Sequence, residues 1–348
     1  MIPALIEGNY LKDILAQPDA LHAAIAGLSH ADVNEPAAGL RSGRFKRVVL
    51  TGMGSSFHAL YPLHLKLWRH GISAHHIETS ELLLGFEPLF DAGTLLIVVS
   101  QSGESAEIVR LLQGVGEFGH TIAITNMESS RLSRGAATRL FLRAGVEATV
   151  SCKTYLNTLA VLHWLGAMLM GNEADPARAL RELEEARQAV QAYLSPWRGH
   201  VDALTRRLAG VRSVFVVGRE SSLATAGTAG LTLKESTRQH AEGMSSASFR
   251  HGPMEMVDDK VFVLVLEGGA RVAGFHHRLV DDVRAAGGRV ALAGPGVDEP
   301  CFRLPQVPAP VRPLVEILPV QMISLAIAAL AGREAGRFER ATKVTVIE

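Results

Sequence analysis

Residues 94–110 read Thr-Leu-Leu-Ile-Val-Val-Ser-Gln-Ser-Gly-Glu-Ser-Ala-Glu-Ile-Val-Arg. An apolar run over 94–99 gives way abruptly to small hydroxyl residues around Gly103, after which helical spacing begins. This is the pattern of a buried strand feeding a helix through a polar turn. At such a turn the first backbone N–H groups of the helix have no partner and the helix dipole adds partial positive charge, so the place attracts an anion. Ser100, Gln101, Ser102 and Ser105 add four uncharged side-chain donors, a set suited to the oxygens of a phosphate. A single serine there would do no more than cap the helix; four donors around one glycine point to a ligand.

The same alternation runs outward from this stretch. Strands are predicted over 48–51, 74–77, 94–99 and 121–125, with an edge strand over 140–143, and helices over 57–68, 106–118 and 154–170. Alternating strands and helices imply a parallel, doubly wound sheet. Ahead of them, residues 1–35 suggest two short helices, broken at Pro18, that pack over the first domain. Residues 172–200 read as a charged linker helix. From 213–218 the strand pattern restarts: Gly52-x-x-Ser55-Ser56 recurs as Gly218-x-x-Ser221-Ser222, and the strand before Gly103 recurs as 261–266 before Gly269, both at an offset of 166. Strands at 122–125 and 290–293 follow at 168. The chain is therefore a duplicated α/β unit, laid out as an N-terminal helical segment (1–44), a first domain (45–171), the linker (172–200) and a second domain (201–348). Aligned by that offset, Ser100-Gln101-Ser102-Gly103 faces Leu266-Glu267-Gly268-Gly269, where the hydroxyls are gone. Only the first half should hold phosphate.

At 348 residues the length suits about two domains, and 47% hydrophobic residues can supply a core for each. Thirty-five basic residues balance 35 acidic ones, so there is no net field to hold nucleic acid or an acidic membrane, and a small-molecule partner is expected. Cys152 and Cys301 form no disulfide framework, the N-terminus lacks the basic and long apolar regions of a secretory signal, and a reducing, cytoplasmic setting is expected. The apolar stretches at 155–171 and 314–331 carry Asn157, His163, Glu316 and Gln321, which makes them core helices rather than membrane spans. Gly52-Met53-Gly54 lacks the third glycine of a dinucleotide fingerprint, having Phe57 in its place, and no P-loop motif occurs. The pairs His75-His76 and His276-His277 are adjacent rather than one helical turn apart, so no metal or other cofactor is required.

Val99-Ser100-Gln101-Ser102-Gly103-Glu104-Ser105, Gly54-Ser55-Ser56-Phe57-His58, Leu233-Lys234-Glu235-Ser236, His251-Gly252-Pro253 and Lys343-Val344-Thr345 together resemble, in the same order, the double sugar-isomerase (SIS) family typified by the isomerase module of glucosamine-6-phosphate synthase. The resemblance spans about residues 45–348 and implies an α/β fold of two tandem doubly wound SIS domains, parallel sheets flanked by helices. It implies a hexose-6-phosphate-type ligand held by Ser56, Ser100, Gln101, Ser102 and Ser105. Ser151 lies near a family position that contacts the sugar, in a segment (144–153) one residue shorter than the synthase pattern. Glu235 matches the base that carries a proton between the first two sugar carbons, His251 the ring-opening histidine supplied by the neighbouring protomer of a homodimer, and Lys343 the tail lysine that meets the sugar carbonyl as an imine. The residue types fit the chemistry. A partly buried carboxylate can take and return a proton, a histidine works near neutrality, and a lysine in a dry pocket can attack a carbonyl.

Two departures bear on the reaction. Thr232 stands where the synthase has a further lysine, and the 44 residues ahead of the first domain are too few for a glutaminase domain, so ammonia from glutamine is not expected. The reading that follows is an enzyme acting on an amino-sugar 6-phosphate, converting glucosamine-6-phosphate to fructose-6-phosphate and ammonia. A deglycase cleaving a 6-phosphorylated sugar–amine adduct is the neighbouring alternative, and a non-catalytic phosphosugar-binding module the alternative from another class.

Overall fold

A computed structural model describes residues 6–170, 176–340 and 342–343; Val344 and Thr345 of the tail motif and the start of the linker, 172–175, lie outside the described residues. Two compact units emerge. One gathers residues 19–147, 152–170, 176–184 and 342–343 around a first sheet, and the other gathers 6–18, 148–151 and 185–340 around a second.

The first sheet contains β1 (Arg47–Gly52), β2 (Ala74–Glu78), β3 (Thr94–Val99), β4 (His120–Thr125) and β5 (Thr138–Phe141), all parallel, in the order β2-β1-β3-β4-β5. All six residues of β3 are buried, as a central strand covered on both faces requires. Helices α4 (Gly54–Arg69), α5 (Thr79–Gly85), α6 (Ala106–Gly114), α7 (Arg131–Gly135) and α8 (Lys153–Met170) connect and cover it. Val49, Leu96, Val98, Ile108, Leu111 and Leu132 form one core layer; each such side chain contributes about 1.5–3 kcal/mol on burial. The predicted helix over 106–118 stops at Gly114 and tightens into a 3-10 turn over Val115–Glu117.

The second sheet contains β6 (Ser213–Gly218), β7 (His240–Ser245), β8 (Val261–Leu266) and β9 (Arg289–Ala293), again parallel, in the order β7-β6-β8-β9. Its helices include α11 (Ser222–Thr237), α12 (Ser246–Arg250), α13 (Ala270–Ala285) and α14 (Pro313–Leu330). The duplication is thus present in the topology for four of the first sheet's five strands, and it departs from the sequence-based expectation in two ways. The strand β7 is absent from the sequence reading because His-Ala-Glu-Gly-Met-Ser carries no apolar run. The offset, 166 between β1 and β6, becomes 167 between β3 and β8, because one residue is inserted on the way. The amide of Ser100 bonds Ile124 O and the amide of Glu267 bonds Ala293 O, both at 3.0 Å. Glu267, Gly268 and Gly269 therefore stand opposite Ser100, Gln101 and Ser102, one residue on from the alignment by sequence alone.

Two helices precede the first sheet, α1 (Asn9–Leu15) and α2 (Gln17–Ala26), followed by α3 (Asn34–Arg41). The break between α1 and α2 falls at Ala16, and Pro18 sits in the first turn of α2, where a missing N–H costs nothing. Helix α1 packs in the second-sheet unit rather than over the first domain. Asp13 there accepts the Ala148 amide at 2.9 Å, and Gln17 and Gln321, both buried, exchange side-chain hydrogen bonds at 2.9 and 2.8 Å. The linker is two helices, α9 (Pro176–Leu194) and α10 (Trp197–Leu208). Among the described residues one helical stretch, Ala309–Leu330, is long and apolar enough to cross a membrane, and 94% of its apolar window is buried within the protein.

Candidate active site

In the order β2-β1-β3-β4 the chain winds one way from β1 and the other way from β3, so the carboxyl ends of these two strands form a topological switch point, the place where doubly wound sheets bind ligands. Gly52 pairs with Val99 at those ends. A Cβ on Gly52 would come within 2.8 Å of Val99 O and 3.2 Å of Phe57 N, so glycine lets the turn into α4 close on the end of β3. That turn places Ser56, half-buried, in the first turn of α4, with its amide on Met53 O.

The turn after β3 spans six residues, 100–105, before α6 begins. Ser100 Oγ accepts the Gly103 amide at 3.1 Å and Ser102 Oγ accepts the Glu104 amide at 3.2 Å. Each hydroxyl oxygen is thereby fixed by a backbone donor while its own proton remains a donor for an anion. Gln101 O takes the Asn126 amide at 3.0 Å and the Thr125 hydroxyl at 3.2 Å, which ties the turn to β4. Ser105 stands at the start of α6 with its carbonyl on the Val109 amide. Gly103 has φ 63°, and a Cβ there would lie 2.4 Å from Ser130 Oγ, so both conformation and space require glycine. Glu104 accepts the Arg131 amide at 2.6 Å and pairs with its guanidinium at 3.3 Å, pinning the turn to α7. The five residues expected to hold phosphate thus lie on the two turns of one switch point.

Glu235, His251 and Ser151 belong to the second-sheet unit. Glu235 is half-buried in the last turns of α11, between exposed Lys234 and buried Ser236. Arg238 pairs with Glu339 at 2.6 Å. Thr232 is buried, and its carbonyl accepts Ser236 Oγ at 2.6 Å. His251 is exposed in the turn after α12, its amide on Ser248 O, and Gly252 beyond it has φ 138°. Ser151 is half-buried in the irregular segment before α8.

Lys343 shares the first-sheet unit with the phosphate turn, and its partner is a residue the sequence reading did not single out. Its ammonium lies 2.7 Å from Oε2 of Glu147, whose side chain is fully buried. Glu147 Oε1 also accepts the amides of Cys152 (2.9 Å) and Thr154 (3.0 Å), and Oε2 the Thr154 hydroxyl (2.6 Å). The carboxylate thus caps α8 and holds the tail lysine at once. No periodicity marks residues 142–152, and the partner is 196 positions away, so only the Glu-to-helix-start spacing offered a hint.

One histidine of each pair is held by protein partners. His76 bonds Phe57 O at 2.8 Å and stacks on the Phe57 ring at 3.8 Å; burial pushes it down to about 4. His276 is buried between Glu267 O and Ser246 Oγ, with burial lowering its pKa. Among the described residues no group of three or more His, Cys, Asp or Glu is placed to hold a metal.

Residues 44–168 match the family model described as SIS domain. That match takes in the first sheet and about a third of the chain. The chain's two parallel sheets repeat that fold. The chain is 29% identical over 350 residues to the glutamine–fructose-6-phosphate aminotransferase (isomerizing) of Pyrococcus horikoshii, covering 97% of this chain and 57% of the relative. The chain thus spans little more than half the length of the curated relatives it matches. Among solved structures, the C-terminal domain of glucosamine-fructose-6-phosphate aminotransferase from Francisella tularensis superposes with a TM-score of 0.84 at 22% identity, covering 94% of this chain and 97% of that one. A glucosamine-6-phosphate deaminase from Thermotoga maritima gives 0.77 at 18% identity, covering 98% and 100%. At these identities the structural likeness concerns the fold.

Proposed function

We propose that this protein is a phosphosugar isomerase of the SIS family acting on an amino-sugar 6-phosphate, releasing ammonia from glucosamine-6-phosphate to leave fructose-6-phosphate. The observation that carries this reading is the six-residue turn after β3, where Ser100 and Ser102 are held by backbone amides with their protons left to donate, at a helix start and a switch point. An uncharged donor set of this kind suits a phosphate on a flexible sugar tail. In the proposed reaction His251 opens the ring, and Glu235 takes the proton from C2 and returns it to C1, turning the 2-amino aldehyde into a C2 imine. The Lys343 amine then displaces ammonia from that imine, and water releases the ketose. His251 is exposed in the single chain, which suits a histidine lent to the site of a second copy in a homodimer.

Ammonia release from glucosamine-6-phosphate by purified protein tests the reading. A Glu235→Gln variant should lose about 10²–10⁴-fold of the rate, the usual contribution of a positioned proton carrier. Wild-type release no faster than that variant would refute it. A second reading, deglycation of a sugar–amine adduct, is favoured by one observation. Thr232, where the synthase pattern has a lysine, is buried and supplies no amine, which leaves room for a different leaving group. Faster turnover of fructoselysine-6-phosphate than of glucosamine-6-phosphate would decide for it.

A further inference from the structure

Glu147 is already satisfied as a helix cap: two amides and one hydroxyl from Cys152 and Thr154 reach its two oxygens. Lys343 adds a fourth partner that capping does not require. The pair is also asymmetric, for the Glu147 side chain is fully buried whereas that of Lys343 is 24% exposed. The carboxylate is fixed by α8 and the lysine, on the chain's tail, is the member that can leave. An ammonium engaged with a carboxylate carries no lone pair and cannot attack a carbonyl.

We propose that Glu147 is a latch for Lys343, a positioning residue that holds the tail amine in a closed, non-nucleophilic state until substrate occupies the site. Attack requires the latch to open. The ammonium leaves Glu147 and gives one proton to solvent. The free amine's lone pair bonds the C2 imine carbon, whose nitrogen departs as ammonia with the amine's two hydrogens; with fructose-6-phosphate, in the reverse direction, it bonds the ketose carbonyl carbon and the oxygen departs as water. The apparent rate then scales with the fraction of chains unlatched. The identity of the attacked carbon rests on the phosphosugar reading above; the latch itself does not.

Brief acetylation with acetic anhydride, without any sugar, followed by mass spectrometry of the lysine peptides, tests the latch directly. Lys343 should label more slowly than exposed Lys12 and Lys260 in the wild type. Glu147→Gln should raise its labelling at least about tenfold, the scale of one lost hydrogen bond to a charged group. Because that variant also disturbs the α8 cap, Thr154→Val serves as the second variant. It removes a cap contact but keeps the carboxylate, and Lys343 should stay slow. Lys343 labelling unchanged by Glu147→Gln, or raised equally by Thr154→Val, would overturn the latch. Borohydride trapping of fructose-6-phosphate on Lys343 is read separately. Trapping faster in Glu147→Gln than in the wild type supports both proposals, whereas no trapping in either protein defeats the phosphosugar reading and leaves the labelling result to decide the latch.

Discussion

The turn that follows β3 and the turn that follows β8 begin from the same frame and end differently. Each leaves a fully buried central strand, each opens with an amide bonded to the next strand, and each leads into a helix. The first uses six residues before its helix, with the Ser100 and Ser102 hydroxyls each accepting a backbone amide. The second uses three, Glu267-Gly268-Gly269, too few to wrap a tetrahedral anion. The neighbouring serine differs as well. Ser56 is half-buried, whereas its repeat counterpart Ser222 is buried and donates to Glu316 at 2.8 Å, with Thr225 at 3.4 Å from the same carboxylate. The second-sheet unit has taken a carboxylate of its own where the first leaves its donors to the proposed ligand. On the proposed reading, a duplicated binding turn is retired by shortening it and giving its serine an internal acceptor.

The largest effect that would break this comparison is on ligand binding. Replacing Ser100 and Ser102 together by alanine should weaken fructose-6-phosphate binding by at least about 10²-fold, since hydrogen bonds to charged groups are worth about 1.5–3 kcal/mol each. Ser222→Ala should leave binding unchanged. Calorimetry on the three proteins checks this, and equal losses would mean that both turns touch the ligand.

Next is the pH dependence of stability. Burial holds Glu316 up to about 7 against an ordinary 4.5, with Ser222 and Arg312 only partly opposing it. Below the ordinary value both folded and unfolded chains are protonated there and nothing is lost. Between 4.5 and 7 the unfolded chain ionises first, so stability falls as pH rises, by about 3 kcal/mol in total. Denaturation of the wild type across that window should show this decline relative to Glu316→Gln; a wild type that gains stability over the variant as pH rises would contradict the buried, protonated carboxylate.

A smaller contrast separates the glycines. Gly103→Ala must place a side chain at φ 63° and 2.4 Å from Ser130 Oγ, costing about 2 kcal/mol or more. Gly269 has φ −87° and its nearest neighbour would be 3.5 Å away, so Gly269→Ala should change stability by less than about 0.5 kcal/mol. Thermal melts of the two variants measure the difference.

The strands at 94–99, 213–218 and 261–266 are legible to the residue, because a central parallel strand is apolar on both faces and stops where the polar turn begins. The hydroxyl turn is legible for the same reason. Strand β7 is not: it lies at a sheet edge, and of its six residues only Ala241 is buried, so it is recoverable only by carrying β2 forward through the repeat. Glu316 is legible as a polar interruption of an apolar helix but not as the partner of Ser222, 94 positions away. Glu147 and Lys343 are further apart still. Their pairing depends on how the tail returns to the start of α8, which no local pattern encodes.

Calorimetric titration of the wild-type protein with fructose-6-phosphate tests most directly whether one turn binds while its duplicate has been retired. One bound sugar per chain, abolished by the Ser100 and Ser102 replacements, is the expected result. Two bound sugars per chain, or a single site indifferent to those serines, would contradict it.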